Sequence, residues 1–428
     1  MKISSANLRI TIIVIITFLV GYYVGVTNIS FQWNNFQPDV EVSSKAPPPS
    51  VQFVDTNRMW LVLQKVEELY YDKTAINANK MLDGAISGMV NSLGDPYTLY
   101  LPPTQNTNFK QGLAGQFEGI GAELGMNGKS VIVISPIEGS PAIKAGIKPS
   151  DTILKVNGKD ISGMDLTSIV NMIRGPKGTK VTLSVQHKGS SKIIDIPIVR
   201  NTITVKSLAT WTKKVNDIPL INHKADALSQ AGNDKIVYIR LSEFGDNTNS
   251  EWHQIALSIN KQLQSDKSIK GVVLDLRNNP GGYLTDAIYI ISEFVKSGTA
   301  VEQEDGNGKI TSYPVNGKGM LTDVPVVVLI NKGTASASEI TSGGLRDNHR
   351  AELVGTNSFG KGIVQEAFDL GDGAGLHVTV AKWLTPDGTW VGNGKDGKGL
   401  TPDITVQLDP KNPTHDTQLE KAVEELVK

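Results

Sequence analysis

Three hydroxyl groups in the carboxyl-terminal half of the chain have the residue type of a hydrolytic nucleophile. Thr334, Ser336 and Ser338 lie in one segment of small residues, which leaves room for a substrate backbone. Ser336 is predicted at the start of a helix, where the helix dipole stabilises an alkoxide and a developing oxyanion. The spacing of Ser336 and Glu339 also fits a helix capping box, so spacing alone does not choose among the three hydroxyls.

Lys361 is the candidate base for a serine nucleophile, and it lies between two glycines. Lysine ordinarily has a pKa of about 10.4, but burial against apolar walls lowers it and makes the neutral amine available. In an extended segment Lys361, Ile363 and Gln365 share one face, so Gln365 is placed to hold the amine by a hydrogen bond. A solvated loop lysine is the alternative.

A second glycine-rich segment, residues 275–282, directly follows an apolar run. Gly281 and Gly282 come after a proline and let the backbone turn with bare N–H groups exposed. Such groups form a main-chain oxyanion site in hydrolases. An ordinary glycine turn into a helix explains the same residues.

The composition excludes several other classes of chemistry. The 428 residues include no cysteine, which rules out a thiol nucleophile, a cysteine zinc site and a disulfide framework. The six histidines are scattered, which argues against a zinc hydrolase, although His349 and His377 offer a Ser–His–Asp alternative to Lys361. A net charge of −1 argues against a nucleic-acid partner.

The amino-terminal segment predicts a membrane anchor. Residues 10–29 are mostly apolar and uncharged, and about 20 such residues span a bilayer as a helix. Lys2 and Arg9 precede this segment, whereas Asp39 follows it, so the positive-inside rule sends the bulk of the chain outward. We expect a single-pass protein of a bacterial-type cell membrane with an extracytoplasmic catalytic part. A cleaved signal peptide is the alternative.

Periodicity predicts the elements that position the candidate site. Helical spacing over residues 53–105 predicts a small helical segment suited to packing or self-association, which allows a homodimer. Short strands between glycine turns follow over residues 112–200, with one helix at residues 165–174. From residue 236, β-branched runs alternate with helices, which predicts a largely parallel α/β core with catalytic groups at its strand ends.

Seven motifs, separated along the chain, together match the sequence pattern of one protein family. They are GTASASE (333–339), FGKGIVQ (359–365), LRNNPGG (276–282), a PDZ-like core (140–158), IRGPKGT (173–179), LGDPYT (93–98) and GLTPD (399–403). Together they resemble the C-terminal processing peptidases, a family of serine proteases with a Ser–Lys dyad and a PDZ domain. The resemblance runs from about residue 53 to the carboxyl end.

The resemblance implies catalytic roles at matching positions. Ser336 corresponds to the family's nucleophile, Lys361, 25 positions later, to its general base, and Gln365 to the residue that supports the lysine. The implied oxyanion donors are the N–H of Ala337 and an N–H from Gly281 or Gly282.

The resemblance also implies a peptide-binding site in the PDZ segment. Its residues form a carboxylate-binding loop and one face of a helix: Gly119, Ile120, Gly121, Ala122, Leu166, Val170, Ile173 and Arg174. In some members of the family the arginine that corresponds to Arg174 couples peptide binding to assembly of the active site. Ser150 departs from the pattern, since PDZ domains commonly have glycine there.

The predicted fold class is multidomain α+β. The expected segments are a membrane helix (1–30), a linker (31–52), a helical segment (53–111), a PDZ domain (112–200) and a ClpP/crotonase-like α/β protease core with a C-terminal helix (201–428). The resemblance implies a serine endopeptidase that binds protein C-termini and cleaves through an acyl-enzyme without a metal or cofactor. With the predicted anchor, this is a membrane-anchored enzyme. The alternative is a non-catalytic, membrane-tethered PDZ scaffold.

Overall fold

A computed structural model gives the structure of most of the chain. The described residues are 13–19, 21–22, 27–34, 37–44, 54–127, 130–137, 139–164, 166–219, 221–222, 226–392, 399–409, 412 and 415–428. The chain divides into two compact units, Met1–Leu82 and Asp83–Lys428.

The first unit contains a strand pair and one long helix. Strands β1 (Thr27–Asn34) and β2 (Gln37–Ser44) pair antiparallel, and helix α1 (Asn57–Leu69) follows. Helix α2 (Ala78–Asn91) begins in this unit and ends in the next. Both helices lie where the apolar periodicity predicts them. Residues 35–36 and 45–52 of the predicted linker lie outside the described residues.

The prediction of a single-pass membrane protein is wrong. Within the described part of the chain, no helix is both long enough and apolar enough to cross a bilayer. Residues 13–19 and 21–22 are helical, but the predicted span also includes the start of β1 at Thr27. Residues 1–12, 20 and 23–26 lie outside the described residues.

A six-stranded antiparallel sheet forms the core of the PDZ-like region. The elements of this region are β4 (Gln116–Gly119), β5 (Ala122–Asn127), β6 (Ser130–Pro136), α4 (Pro141–Lys144), β7 (Thr152–Val156), β8 (Lys159–Asp160), α5 (Leu166–Ile173), β9 (Lys180–Gln186) and β10 (Ile193–Val199). The sheet order is β10-β9-β7-β6-β5, with β8 on β7, so β5 is an edge strand. The predicted strands near residues 131 and 181 and the predicted helix are confirmed.

A two-stranded ribbon joins this region to the rest of the second unit. Strand β4 enters the region and β11 (Asn201–Thr204) leaves it, and the two pair antiparallel from Gly119 with Asn201 to Gln116 with Thr204. Both connections therefore run side by side.

A six-stranded sheet carries the candidate catalytic segments. Its order is β12 (Leu208–Lys214), β13 (Lys235–Leu241), β14 (Ile269–Asp275), β17 (Val326–Ile330), β18 (Ala351–Gly355) and β21 (Ile404–Thr405). Every neighbouring pair is parallel except β12 with β13. All residues of β17 are buried, which explains its uninterrupted apolar run. The prediction of a largely parallel core is confirmed.

Helices cover both faces of this sheet. They are α6 (Asp226–Gln230), α7 (Thr248–Ser265), α8 (Leu284–Phe294), α9 (Ala337–Asp347) and α10 (Thr417–Val427). On one face, α7, α8 and α9 bury residues such as Trp252 and Phe294 against the strands. On the other face, α10 packs Leu419 and Val423 against the same sheet.

A second sheet forms the other wall of the candidate site. Its order is β16 (Ile310–Pro314), β15 (Thr299–Asp305), β20 (Gly375–Leu384) and β19 (Ile363–Asp369), and β3 (Leu99–Leu101) also pairs with β20. Helix α3 (Pro103–Leu113) follows β3 directly. This arrangement brings the segment around Tyr97 to the strand that follows Lys361.

Candidate active site

Ser336 lies at the point where buried strand β17 gives way to helix α9. It is the N-cap of α9, with φ 55° and ψ −119°, a backbone conformation that is uncommon for any residue other than glycine. Such strained positions concentrate at functional sites. The side chain is half-buried, at the positive end of the helix dipole.

The structure distinguishes Ser336 from the two neighbouring hydroxyls. Thr334 and Ser338 are both fully buried, at 0% exposure. The Thr334 hydroxyl donates to the carbonyl of Leu276 at 2.9 Å, and the Ser338 hydroxyl donates to the carbonyl of Asn279 at 3.0 Å. Both hydroxyls therefore hold residues 334–338 against residues 276–279, and of the three only Ser336 lines the cavity that also contains Lys361.

Lys361 contacts Gln365, and together they reach the segment before β3. The Lys361 Nζ donates to Gln365 Oε1 at 2.6 Å, and Gln365 Nε2 donates to the carbonyl of Tyr97 at 2.5 Å. Strand β19 begins only at Ile363 and has a register shift at Gln365, so the contact is made across a bulge, not along a regular strand. Burial lowers the pKa of Lys361, while the charges of Asp95 and Glu339 partly oppose that shift.

A buried carboxylate that the sequence presented only as a helix cap joins the two segments. Glu339 Oε2 accepts the N–H of Ser336 at 2.9 Å and the N–H of Lys361 at 2.9 Å. Its Oε1 accepts the N–H of Gly360 at 2.7 Å and the hydroxyl of Ser358 at 2.5 Å. Burial raises the pKa of Glu339, and these four hydrogen bonds oppose the shift.

Two tryptophans fix the carbonyl side of the lysine segment. Trp383 Nε1 donates to the carbonyl of Lys361 at 2.9 Å, and Trp390 Nε1 donates to the carbonyl of Gly362 at 2.7 Å. The lysine backbone is thus held from both sides, because Glu339 binds its N–H. No local motif predicts these contacts, because Trp383 lies 22 positions after Lys361 and Trp390 lies 28 positions after Gly362.

The glycine segment after β14 approaches Ser336 closely. A side chain on Gly281 would place its Cβ 2.8 Å from Ser336 Cβ and 2.9 Å from the N of Ala337, so glycine is required there. The N–H of Gly281 donates to Asn279 Oδ1 at 2.9 Å. At Gly282, with φ 142°, a Cβ would lie 1.8 Å from the Phe244 carbonyl oxygen.

Reciprocal amide contacts hold the glycine segment and the segment before Ser336 together. The N–H of Asn278 donates to Asn331 Oδ1 at 2.8 Å, and Asn331 Nδ2 donates to Asn278 Oδ1 at 2.9 Å. The N–H of Ala335 donates to the carbonyl of Asn279 at 3.0 Å. These contacts fix the distance between the glycines and Ser336.

An ion-pair network anchors the start of the glycine segment. Asp275, at 0% exposure, accepts hydrogen bonds from Arg240, Tyr238 and Arg277. Arg277 also donates to both carboxylate oxygens of Asp416, the N-cap of helix α10. The segment is therefore tied to the helix packed on the opposite face of the sheet.

Six predicted catalytic-site residues line one cavity of about 460 Å³. They are Gly281, Gly282, Ser336, Ala337, Lys361 and Gln365. His377 lines the same cavity, its ring lying edge-on to Phe109 at 4.4 Å, and burial together with the charge of Lys361 lowers its pKa. His349, the other histidine considered for a triad, is not among the lining residues.

The predicted peptide-binding residues lie apart from this cavity, in the PDZ-like region. The loop before edge strand β5 is tight: Gly121 has φ 74°, and a Cβ there would lie 2.5 Å from Ser140 Cβ. Leu166 and Val170 of α5 are half-buried, whereas Ile173 is 3% exposed in the core. A role for Ile173 in a peptide groove stays a prediction, as do those of Gly119, Ile120 and Ala122.

Arg174 lies at the end of helix α5, beside the ribbon. Its guanidinium carbon is 5.2 Å from the centroid of the Phe117 ring on β4. Arg200, next to β11, donates to the carbonyls of Met172 and Ile173 at the end of the same helix. The helix end is therefore in contact with β4 and with the residue that precedes β11.

Sequence comparison relates this geometry to known proteins. The carboxy-terminal processing protease CtpA of Bacillus subtilis (strain 168) is 38% identical over 346 residues, 81% of this chain and 67% of that relative. The chain belongs to the carboxy-terminal processing proteases. The predicted family and the predicted serine protease class are thereby confirmed.

Further comparisons agree with this family. Segments of the chain match Peptidase family S41 (residues 235–406), a PDZ domain (111–186) and the Activating protease CtpB N-terminal domain (19–104). The carboxy-terminal processing protease CtpB of Bacillus subtilis (strain 168) is 34% identical over 90% of this chain and 74% of that relative. A putative S41 protease from Bacteroides fragilis shares the fold, with a TM-score of 0.53, 15% identity and coverage of 86% of this chain and 96% of that one.

Proposed function

We propose that this protease cleaves peptide bonds with Ser336 as nucleophile, Lys361 as general base and Gln365 as the residue that orients the amine. The observation that carries the proposal is the shared cavity, in which Ser336 and Lys361 both lie while Glu339 binds the backbone N–H of each. The lowered pKa of Lys361 supports the same role, because a neutral amine is needed to accept the serine proton.

The proposed reaction follows from these positions. Ser336 Oγ attacks the carbonyl as neutral Lys361 accepts its proton, and the protonated amine then donates to the leaving nitrogen before water hydrolyses the acyl-enzyme. The oxyanion accepts from the N–H of Ala337 and from that of Gly281 or Gly282, each worth about 2.7–4 kcal/mol. Gly282 is favoured because the Gly281 N–H already donates to Asn279.

The PDZ domain supplies the proposed substrate class. An extended peptide adds to an exposed sheet edge, and a free C-terminal carboxylate binds in the backbone turn before it. Strand β5 is such an edge, and the glycine turn at residues 119–121 precedes it. We propose that the free C-termini of proteins bind there, beside Leu166 and Val170.

Cleavage of an unfolded protein by the full chain tests the function. Ser336→Ala is expected to reduce turnover by about 10⁴-fold or more while binding of a C-terminal peptide to the PDZ domain survives. Ser338→Ala is the matched control, since that hydroxyl is buried and hydrogen-bonded. Normal turnover by Ser336→Ala would exclude the assignment and favour the non-catalytic scaffold.

A homodimer stays a prediction for the first unit. Helix α1 has no buried residue, and Met59, Trp60 and Val62 are each at least 44% exposed. Sedimentation of the full chain and of a Trp60→Glu variant would show whether this helix face carries self-association.

A further inference from the structure

A second, larger cavity adjoins the candidate active site. It has a volume of about 910 Å³ and is bordered by helix α3, by the ribbon and by the end of helix α5, including Phe117 and Arg174. Three residues line both cavities: Asn108, Gly112 and Glu243. A polypeptide that extends from Ser336 into the larger cavity therefore passes these three residues.

Glu243 is the charged residue at this junction. It follows strand β13 and precedes Phe244, whose backbone pairs with the glycine segment at Gly282. Its Oε1 lies 3.2 Å from the position that a Cβ on Gly115 would occupy. The absence of a side chain at residue 115 thus leaves the carboxylate room in the cavity wall.

The Glu243 carboxylate has no cationic partner in the described part of the chain. Its side chain is half-buried and takes part in none of the ion pairs of the described residues. Burial raises the pKa of Glu243, and the charge of Glu251 adds to that shift. A carboxylate desolvated beside a second carboxylate is stabilised by an incoming cation.

The other charged residues of the larger cavity do not supply that cation. Arg174 packs on the Phe117 ring, and Lys206 is exposed and farther than 4 Å from the Glu243 carboxylate. Glu118, the remaining acid, accepts the backbone N–H of Lys177 at 3.3 Å. The unpaired charge at the junction is therefore that of Glu243.

We infer that Glu243 is a specificity residue that binds a lysine or arginine side chain of the substrate near the scissile bond. The inference rests on the proposed protease function, because it assumes that the substrate backbone lies in the cavity of Ser336. A partly desolvated charge pair is expected to raise kcat/KM by about three- to tenfold over an uncharged side chain of similar length.

The test is a series of peptides with one common C-terminus. A single lysine is moved through the positions on both sides of the scissile bond, and the reference peptide has glutamine at each of them. For the full chain, at least one position is expected to show a Lys-to-Gln ratio of kcat/KM of about three to ten, and glutamate there is expected to give a ratio below one.

Variants assign the preference to one carboxylate. In Glu243→Gln the Lys-to-Gln ratio at that position is expected to fall to about one, and Glu243→Lys should instead favour glutamate. Glu118→Gln is the matched control, since it removes an acid from the same larger cavity and should keep the wild-type ratio. A lysine preference that survives in Glu243→Gln overturns the inference.

The wild-type protein alone also decides the question if a variant fails to fold. Equal kcat/KM for lysine, glutamine and glutamate at every position overturns the inference, and a Lys-to-Gln ratio that falls as salt rises supports it. The proposed function fails separately, if the reference peptide is not cleaved or is cleaved equally by Ser336→Ala.

Discussion

Glu339 and Asp275 are both carboxylates with 0% exposure beside the candidate active site, yet different groups stabilise them. Arg277 and Arg240 form ion pairs with Asp275. Burial raises the pKa of Asp275, but the two arginines lower it by more, so its pKa is lower than usual. Glu339 accepts only from neutral groups, and burial raises its pKa. Asp275 belongs to an ion-pair network. Around the Glu339 carboxylate, three backbone N–H groups and the Ser358 hydroxyl take the place of water.

The two carboxylates therefore have different roles: Asp275 anchors the glycine segment, and Glu339 aligns the Ser336 and Lys361 segments. The Asp275 network ties the glycine segment to helix α10 and places no net charge near Lys361. Glu339 instead leaves a negative charge beside Lys361, whose pKa it raises against the lowering by burial. The four donors of Glu339 come from two segments, so its position also sets their separation.

The largest expected effect is on stability, at the Asp275 network. Arg277→Met should lower the free energy of unfolding by about 3–5 kcal/mol, because it leaves buried carboxylates without their main cation. Chemical denaturation measures this change. A loss below about 1 kcal/mol would mean that the network does not anchor the segment, and the contrast with Glu339 would disappear.

The next effect is on turnover, at Glu339. In Glu339→Gln the amide NH₂ must face two hydrogen-bond donors, which displaces the Ser336 or Lys361 backbone. A displacement of about 1 Å costs on the order of 10²-fold in kcat. Steady-state kinetics measure it, with Ser342→Ala, on the same helix, as a control. An unchanged kcat would mean that Glu339 serves only as a helix cap.

A smaller effect is expected in the pH dependence. Protonated Lys361 cannot accept the serine proton, so kcat/KM should rise with pH, with a midpoint below the ordinary lysine value of 10.5. In Glu339→Gln the midpoint should move to lower pH, because a charge that raises the Lys361 pKa is gone. A purely structural role for Glu339 predicts no such movement, and an upward shift would contradict the assignment.

The smallest expected effect is on stability at an exposed ion pair, which serves as a reference for the buried Asp275 network. Lys296 and Asp323 form a 2.6 Å pair in which both side chains are mostly exposed. Lys296→Met should change the free energy of unfolding by less than about 1 kcal/mol, since water and salt screen such pairs. If its loss equalled that of Arg277→Met, burial would not explain the strength of the Asp275 network.

Local sequence predicted the elements, and motifs predicted the residues that meet. β-Branched runs such as the one that ends at Ile330 and the glycine pair at residues 281–282 encode a strand and a turn within a few positions. The pairing of Glu339 with the N–H of Lys361 joins residues 22 positions apart through tertiary packing, so the Ser-x-x-Glu spacing revealed only its capping half. Hydropathy likewise predicted a helix through residue 29, whereas β1 begins at Thr27, because composition does not fix where a strand begins.

The paired entry and exit strands of the PDZ-like region make it a removable cassette. Gln116 and Thr204 are direct partners in the ribbon, so a two-residue turn suffices to close the chain after excision of what lies between. Thermal unfolding of the excised chain should retain the transition of the protease core, and its loss would show that the cassette is needed for folding. Peptide-recognition modules of other specificity can then be grafted onto the same two strands.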